Sequence, residues 1–391
     1  MTTQSLSYYI WPGQVHFGFG AVELVGREAK ALPAGHVFVI ADPGVAAAGL
    51  TEPVTASLKA AKLSYDLYDR VVPNPDTESV DAAVIAFNES KADCIVAVGG
   101  GSGLDTAKGV RLAAGGGGKI AEYALMLGDK TRPPGRQMTP MIAIPTTAGT
   151  GAEVTPWAVI TDLSRKLKMG VGGAFLVPTM AVIDPELMLT LPPFLTAATG
   201  MDALTHCIEA YVSTNDNPAL DPMILHGIEL IGRSLRVAVA QKQNREARRE
   251  MALAAMIGGI GISSKWLGAC HSLAHQLSGF ADVQHGVANA IMLPHQMAYS
   301  MVGALERYAR VGEALGVPAE GSVRQRAERA VEAVRELNVD VGLPTRLRDV
   351  GVSEEMIKGM AYNAYKIDLN WWTNPRTVSE AVMEQLYREA F

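Results

Sequence analysis

The chain has little cysteine, no long apolar run and no block of like charge, and each lack removes a class of protein. Its three cysteines, Cys94, Cys207 and Cys270, lie in apolar or motif segments and cannot all pair with one another. That excludes a disulfide-built scaffold and fits reduced thiols in the cytoplasm. No stretch of about 20 apolar residues is present. The start, Met-Thr-Thr-Gln-Ser-Leu-Ser-Tyr-Tyr, has no basic region followed by an apolar one. Neither export nor a membrane partner is expected. A formal charge of -6 without a basic block argues against nucleic acid. No repeat period and no low-complexity linker divides the chain.

What is present is length and apolar content. A chain of 391 residues exceeds one hydrophobic core, so two domains are expected. With 48% hydrophobic and 19% charged residues, large cores and buried subunit surface follow, and a homodimer or higher homo-oligomer is expected. The pattern changes near residues 185–193. Before it, short β-branched runs at 37–40, 94–98, 141–144 and 180–183 alternate with helical or glycine-rich segments, as in an α/β sheet domain. After it, helical periodicity dominates at 219–236, 244–262, 303–315, 323–337, 353–358 and 378–389. The division expected is an α/β domain over 1–189 and an all-α domain over 190–391. The glycine tract at 114–118 reads as a flexible loop after a helix.

Six of eight histidines fall between His206 and His295. Asp202 and His206 form one i,i+4 pair, His271 and His275 another, and His285 follows; residues four apart project from one helix face. Single histidines such as His226 or His295 read as core residues with their ring nitrogens satisfied. Asp202 is different: residues 191–232 contain no Lys or Arg, so a carboxylate buried there lacks a cationic neighbour unless a metal supplies the charge. Imidazoles with one carboxylate suit Fe(II), Zn(II), Co(II) or Ni(II) better than Ca(II) or Mg(II).

The first half offers a phosphate site. The apolar run Cys94-Ile95-Val96-Ala97-Val98 enters Gly99-Gly100-Gly101-Ser102-Gly103-Leu104-Asp105-Thr106-Ala107-Lys108 and then reads as helix. Close backbone approach and a helix N-terminus favour a phosphate there. The pattern is neither GxGxxG nor GxxxxGK[ST], and alone it serves equally as a tight turn. A second loop, Thr146-Thr147-Ala148-Gly149-Thr150-Gly151, adds hydroxyls and backbone donors. Asp42, at the tip of the run 37–41, can accept from a ribose diol and repel a 2′-phosphate, favouring NAD over NADP; Asp42-Pro43-Gly44 reads equally as a turn.

Taken together, GGGSxxDxAK at 99–108, PTTAGTGAE at 145–153, GMDALTHCIEAY at 200–211, the His271 segment, HGVANA at 285–290 and NPR at 374–376 closely resemble the iron-containing, group III alcohol dehydrogenases. The resemblance runs the length of the chain in the same order. It implies a dehydroquinate synthase-like architecture, an NAD-binding α/β domain followed by a helical metal domain. It also implies the ligand set Asp202, His206, His271 and His285 for a divalent metal, Fe(II) first and Zn(II) second. His275 then stands near the nicotinamide and is not a ligand. Gly99, Gly100, Gly101, Ser102 and Asp105 fall in the pyrophosphate loop, and Thr146, Thr147 and Thr150 in the nicotinamide or ribose loop. Asp42, Asn74 and Lys168 match further cofactor positions, and Trp157 lines the substrate pocket in relatives.

The implied reaction is hydride transfer between NAD(H) and a small primary alcohol or aldehyde, in a cleft where the metal polarises the substrate oxygen and His275 passes a proton. Lys265 is unusual before the first HxxxH histidine. Beside Trp157, Trp266 and Trp371 it would suit a small acidic aldehyde, a carboxylate, sulfonate or phosphonate. A neutral short-chain alcohol is the alternative. A metal-dependent hydrolase without a dinucleotide is the rival of another class.

Overall fold

The computed structural model describes residues 7–125, 131–135, 137–165 and 167–391. Residues 1–6, part of the start read above for a leader, lie outside them. The first half contains β1 (Gln14–Phe17), α1 (Val25–Ala31), β2 (His36–Ala41), α2 (Pro43–Ala47), α3 (Glu52–Ala60), β3 (Ser64–Tyr68), α4 (Thr77–Ser90), β4 (Cys94–Gly99) and α5 (Gly101–Gly116). There follow β5 (Met141–Pro145), β6 (Trp157–Asp162), β7 (Leu167–Gly172) and β8 (Met180–Ile183). The second half is helical: α6 (Pro193–Val212), α7 (Asp221–Ala240), α8 (Arg245–Lys265), α9 (Ala269–Ala281), α10 (His285–Ser300), α11 (Leu305–Ala314), α12 (Val323–Asp340), α13 (Met356–Lys366) and α14 (Glu380–Ala390).

Two compact units result. The α/β unit holds residues Ile10–Thr147 and Gly151–Thr190. The helical unit holds Leu191–Phe391, Ala148–Thr150 and the described residues 7–9.

In the α/β unit six strands form one parallel sheet in the order β1-β8-β5-β4-β2-β3. Strands buried on both faces need apolar residues without alternation, and β2 and β4 show it. Phe38, Ile40, Ile95 and Ala97 fill one core, while Val37, Val39, Val96 and Val98 fill the other. Parallel pairing puts the C-terminal ends of β2, β4 and β5 at one edge, Ala41 opposite Val98 and Gly99 opposite Pro145. Ligands bind outside such an edge. The antiparallel hairpin β6–β7 stands apart from the sheet. Helix α5 runs through Gly115 and Gly116, and the left-handed turn comes only at Gly117 and Gly118, φ 72° and 77°. The expected glycine loop is therefore shorter than the tract, because the first glycines still complete helical hydrogen bonds.

In the helical unit α6 starts with Pro193, whose fixed φ suits a first turn, and is buried from Thr196 to Val212. A helix buried all round lies inside a bundle. Helices α7, α8 and α10 pack on it. Small residues set the spacing: a Cβ on Gly258 of α8 would lie 3.1 Å from the His206 Cβ, and one on Gly286 of α10 would lie 2.1 Å from the Ala198 carbonyl oxygen. The chain bends by 108° between α8 and α9. Trp266 makes the bend at φ +69°, a left-handed conformation costly for a bulky side chain. No single helix among the described residues is long and apolar enough to cross a membrane.

Gly286→Ala should therefore push α10 off α6. The expected cost is about 1–3 kcal/mol, as in other overpacked cores. A fall in Tm together with weaker retention of metal by the folded protein is the outcome to measure.

Candidate active site

Three helices bring the metal-competent residues together, each through side chains on one face. On α6, Asp202, His206 and Glu209 recur at i, i+4 and i+7; on α9, His271 and His275 are four apart; on α10, so are His285 and Asn289. The cluster centres on one oxygen. Asp202 Oδ1 lies 3.8 Å from His206 Nε2, 3.8 Å from His271 Nε2 and 3.5 Å from His285 Nε2. The best ligand atoms of Asp202, His271 and His285 all fall within 4.8 Å of one another. The rings of His206 and His271 stack at 4.7 Å.

These spacings suit a metal better than direct ion pairs. Hydrogen bonds close near 2.9 Å, whereas four ligands about 2.1 Å from one ion stand about 3.4 Å apart. Charge agrees. Burial alone would raise the pKa of Asp202, but His206, His285 and His271 reverse the sign and hold its carboxyl well below the ordinary range. Glu209, also buried, accepts from His271 Nδ1 at 2.5 Å and from the backbone N–H of Cys270 at 2.7 Å. It holds Nδ1 and leaves Nε2 turned toward Asp202, as an outer carboxylate does for a histidine that ligates a metal. Gly268 is required beside it, since a Cβ would meet Glu209 Oε1 at 2.7 Å. The donor set therefore fits a divalent cation.

His275 is held separately. Its Nδ1 pairs with Asp368 Oδ2 at 2.6 Å, and its ring stacks on His285 at 5.3 Å. Asp368 Oδ1 accepts from Asn370 Nδ2 at 2.7 Å and Ser272 Oγ at 3.2 Å. Burial opposes the Asp368 anion, but His275 and the Asn370 donors outweigh it and lower its pKa.

Sequence reasoning missed Glu209, Asn289 and Asp368. The first two carried a signal, their helical spacing from His206 and His285. Asp368 carried none: it is 93 residues from His275 and lies just before a short 3-10 turn, Leu369–Thr373.

In the α/β unit the predicted cofactor residues gather at the C-terminal edge of the sheet. Thr146 N–H donates to the Gly99 carbonyl at 3.0 Å. A Cβ on Gly100 would meet the Thr147 side chain at 3.3 Å. Asp42 Oδ1 caps α2 by accepting from Val45 N–H at 2.9 Å, and Oδ2 faces Gly99. Asn74, at φ +49°, donates its N–H to Ser102 Oγ at 3.3 Å and accepts from Lys168 Nζ at 3.3 Å. Gly101 opens α5 here, turning its free N–H groups to the same edge. Asp105 is a tether, accepting from Val159 N–H at 3.0 Å. Thr150 belongs with the helical unit.

Beneath this loop is a buried charged group. Lys108 Nζ donates to Thr155 Oγ1 at 3.0 Å and the Trp157 carbonyl at 2.7 Å, 4.0 Å from Asp105. Burial pushes Lys108 down to about 8, Asp105 up to about 6 and Glu153 up to about 7.

The expected substrate residues of the helical unit, Lys265, Trp266 and Trp371, each have partners of their own. Lys265 is fully buried, its ammonium 2.9 Å from Asp221, which also takes Arg307 at 2.8 Å. This corrects the reading of Lys265 as a free anchor for an acidic substrate: its ammonium is buried and already paired with a carboxylate. Trp371 stacks on Tyr365 at 4.9 Å and donates its indole N–H to the Tyr365 carbonyl. Trp266 meets Trp372 edge-on at 6.2 Å. Trp157 starts β6.

A glycine-rich turn on a parallel sheet and a histidine cage in a helical bundle are the features expected of an enzyme that uses a dinucleotide and a metal. Comparison with known proteins narrows it. Residues 12–185 match the family described as iron-containing alcohol dehydrogenase, and residues 196–391 match the C-terminal part of the Fe-containing alcohol dehydrogenase family. The chain is 37% identical over 385 residues to an NAD-dependent methanol dehydrogenase of Bacillus methanolicus, covering 98% of this chain and 99% of that one. It is 38% identical over 386 residues to a 1,3-propanediol dehydrogenase of Citrobacter freundii, covering 98% of both. The crystal structure of a 1,3-propanediol oxidoreductase superposes with a TM-score of 0.94 at 37% identity, over 99% of this chain and 100% of that one. The chain belongs to the iron-containing alcohol dehydrogenase family. It is an alcohol and aldehyde oxidoreductase that uses NAD(H) and a divalent metal, typically Fe(II).

The buried Glu153 yields a pH-dependent outcome. A carboxyl whose folded pKa is raised to about 7 costs stability progressively as pH rises from its unfolded value, 4.5, to about 7, where the loss is complete, and costs none below the unfolded value. Glu153→Gln should stabilise the protein by roughly 1–3 kcal/mol at pH 8 and little at pH 5. Denaturant midpoints at the two pH values measure this.

Proposed function

We propose that the chain interconverts a small uncharged primary alcohol and its aldehyde, with Asp202, His206, His271 and His285 holding the metal. The observation that carries this is the convergence of three imidazole Nε2 atoms on one oxygen of Asp202. A divalent cation there supplies Lewis acidity at the substrate oxygen, and NAD(H) carries the hydride. The chain's own groups do the rest. Glu209 keeps the His271 proton on Nδ1. Asp368 does the same for His275, leaving His275 Nε2 to accept the proton that the alcohol loses and to return it in reduction. Ser102, Asn74 and Lys168, with the N-terminus of α5, orient the cofactor phosphates. Asp42 accepts from the ribose diol and disfavours a 2′-phosphate.

An uncharged substrate is preferred because Lys265, the basis for an acidic one, is taken by Asp221. The relatives named for methanol and 1,3-propanediol also support a small neutral alcohol.

Two substitutions separate metal holding from proton handling. His271→Ala should fold, by circular dichroism, yet lose most of its metal by elemental analysis; full occupancy would refute the ligand assignment. Asp368→Asn should keep its metal while kcat falls about 10- to 100-fold, the scale for an outer partner of a site histidine.

Lys265→Met tests substrate charge. Acidic and neutral aldehydes should lose kcat/KM equally. Stability should fall by roughly 1–3 kcal/mol, less than for a pair broken outright, because Asp221 keeps Arg307. A selective loss on acidic aldehydes would restore the anchor reading.

A further inference from the structure

We infer that Asn374 is a positioning residue for the proton step: its side chain clamps to α10 the turn that carries Asp368, and so sets that carboxylate against His275. The inference rests on the reading of His275 as the proton carrier. Asn374 opens the Asn-Pro-Arg motif, and all three residues of the motif lie against the C-terminal end of α10 or the turn after it. Asn374 is buried. Its Oδ1 accepts from Gln296 Nε2 at 2.7 Å and Ser300 Oγ at 3.4 Å, while its Nδ2 donates to Ser300 Oγ at 3.0 Å and to the Arg376 carbonyl at 2.6 Å. An amide side chain can accept twice and donate twice, so every site is taken. Pro375 packs on Gly303, where a Cβ would meet its carbonyl oxygen at 2.4 Å. The Arg376 guanidinium lies 3.9 Å from the Tyr299 ring centroid and donates to the Tyr299 carbonyl at 2.8 Å.

One short turn joins this clamp to the site. The 3-10 turn Leu369–Thr373 has Asp368 immediately before it and Asn374 immediately after. Asp368 Oδ1 accepts from the Asn370 N–H at 3.2 Å, and the Asn374 N–H donates to the Trp371 carbonyl at 2.9 Å, closing the turn at both ends. At about 2 Å per residue its five residues span only about 10 Å. The side chains at its two ends reach different helices, Asp368 to His275 and Ser272 on α9, Asn374 to Gln296 and Ser300 on α10.

The rival account is that α13 alone places Asp368. The Asp368 N–H does donate to the Asn363 carbonyl at 2.9 Å, and the Trp371 indole to the Tyr365 carbonyl at 3.1 Å. Those bonds fix the turn on one side. The 2.6 Å contact with His275 lies on another helix, and the His275 ring stacks in turn on His285 of α10. Asn374 ties the turn to that same α10, so the carboxylate and the ring it meets share one frame.

The test uses the full-length holoenzyme in a double-mutant cycle of wild type, Asn374→Ala, Asp368→Asn and the double variant. Each is assayed for metal content, kcat and KM with NAD and one neutral short-chain alcohol. Asn374→Ala should keep its metal and hold KM within about twofold, while kcat falls roughly tenfold. The double variant should be no slower than Asp368→Asn alone, because the clamp acts through that carboxylate. A second readout is local. At 2.6 Å one proton lies between His275 Nδ1 and Asp368 Oδ2. Its far-downfield resonance in the Zn(II)-loaded protein, identified by its loss in His275→Gln, should shift or broaden in Asn374→Ala. If Asn374→Ala does not fold, Gln296→Met, which removes the 2.7 Å donor on α10, takes its place in the cycle. A wild-type kcat in the clamp variant, losses that multiply in the double variant, an unmoved resonance or loss of metal assigns Asn374 a packing role and overturns the inference. An undiminished kcat in Asp368→Asn overturns the His275 reading along with it.

Discussion

A carboxylate buried among imidazoles, with no lysine or arginine anywhere in residues 191–232, is the constraint around which the helical unit is arranged. Taking an anion out of water costs several kcal/mol unless positive charge or hydrogen bonds replace the solvent. Asp202 meets that cost through imidazoles that three different helices supply. Each helix must then approach closely, and close approach demands small residues at Gly258, Gly268 and Gly286. The chemistry of the site and the packing of the bundle are one problem here.

The histidines are held by acids of opposite position and similar purpose. Glu209 lies on the same helix as Asp202 and fixes His271; Asp368 comes from a distant turn and fixes His275. In both pairs the carboxylate takes Nδ1 and leaves Nε2 for the reaction side. Asn289 adds a neutral donor to the Asp202 carboxylate, its Nδ2 2.8 Å from Asp202 Oδ1.

The α/β unit solves a different problem, presenting backbone N–H groups to an anion. Parallel strands end together, so Asp42, Gly99 and Thr146 come to one edge although about fifty residues separate each from the next. The buried group of Lys108, Asp105 and Glu153 braces that edge from below. Lys108 reaches the Trp157 carbonyl and Asp105 the Val159 amide, tying α5 to the start of β6.

By itself the sequence determined the sheet strands at β2, β4, β5 and β8, most of the helices after α6, and the identity of the metal-competent residues. Those signals are local: apolar β-branched runs, and spacing of four along a helix. Strands β1 and β3 escaped because Gln14–Phe17 and Ser64–Tyr68 are partly polar edge strands with little apolar pattern. Spacing could not separate His271 from His275 either, since both point from one face of α9. Only the tertiary structure shows their different neighbours, Glu209 against His271 and Asp368 against His275. The same holds for Lys265, whose sequence position suggested a free charge. A partner 44 residues away on α7 neutralises it, and ion pairing across a bundle leaves no trace in local periodicity.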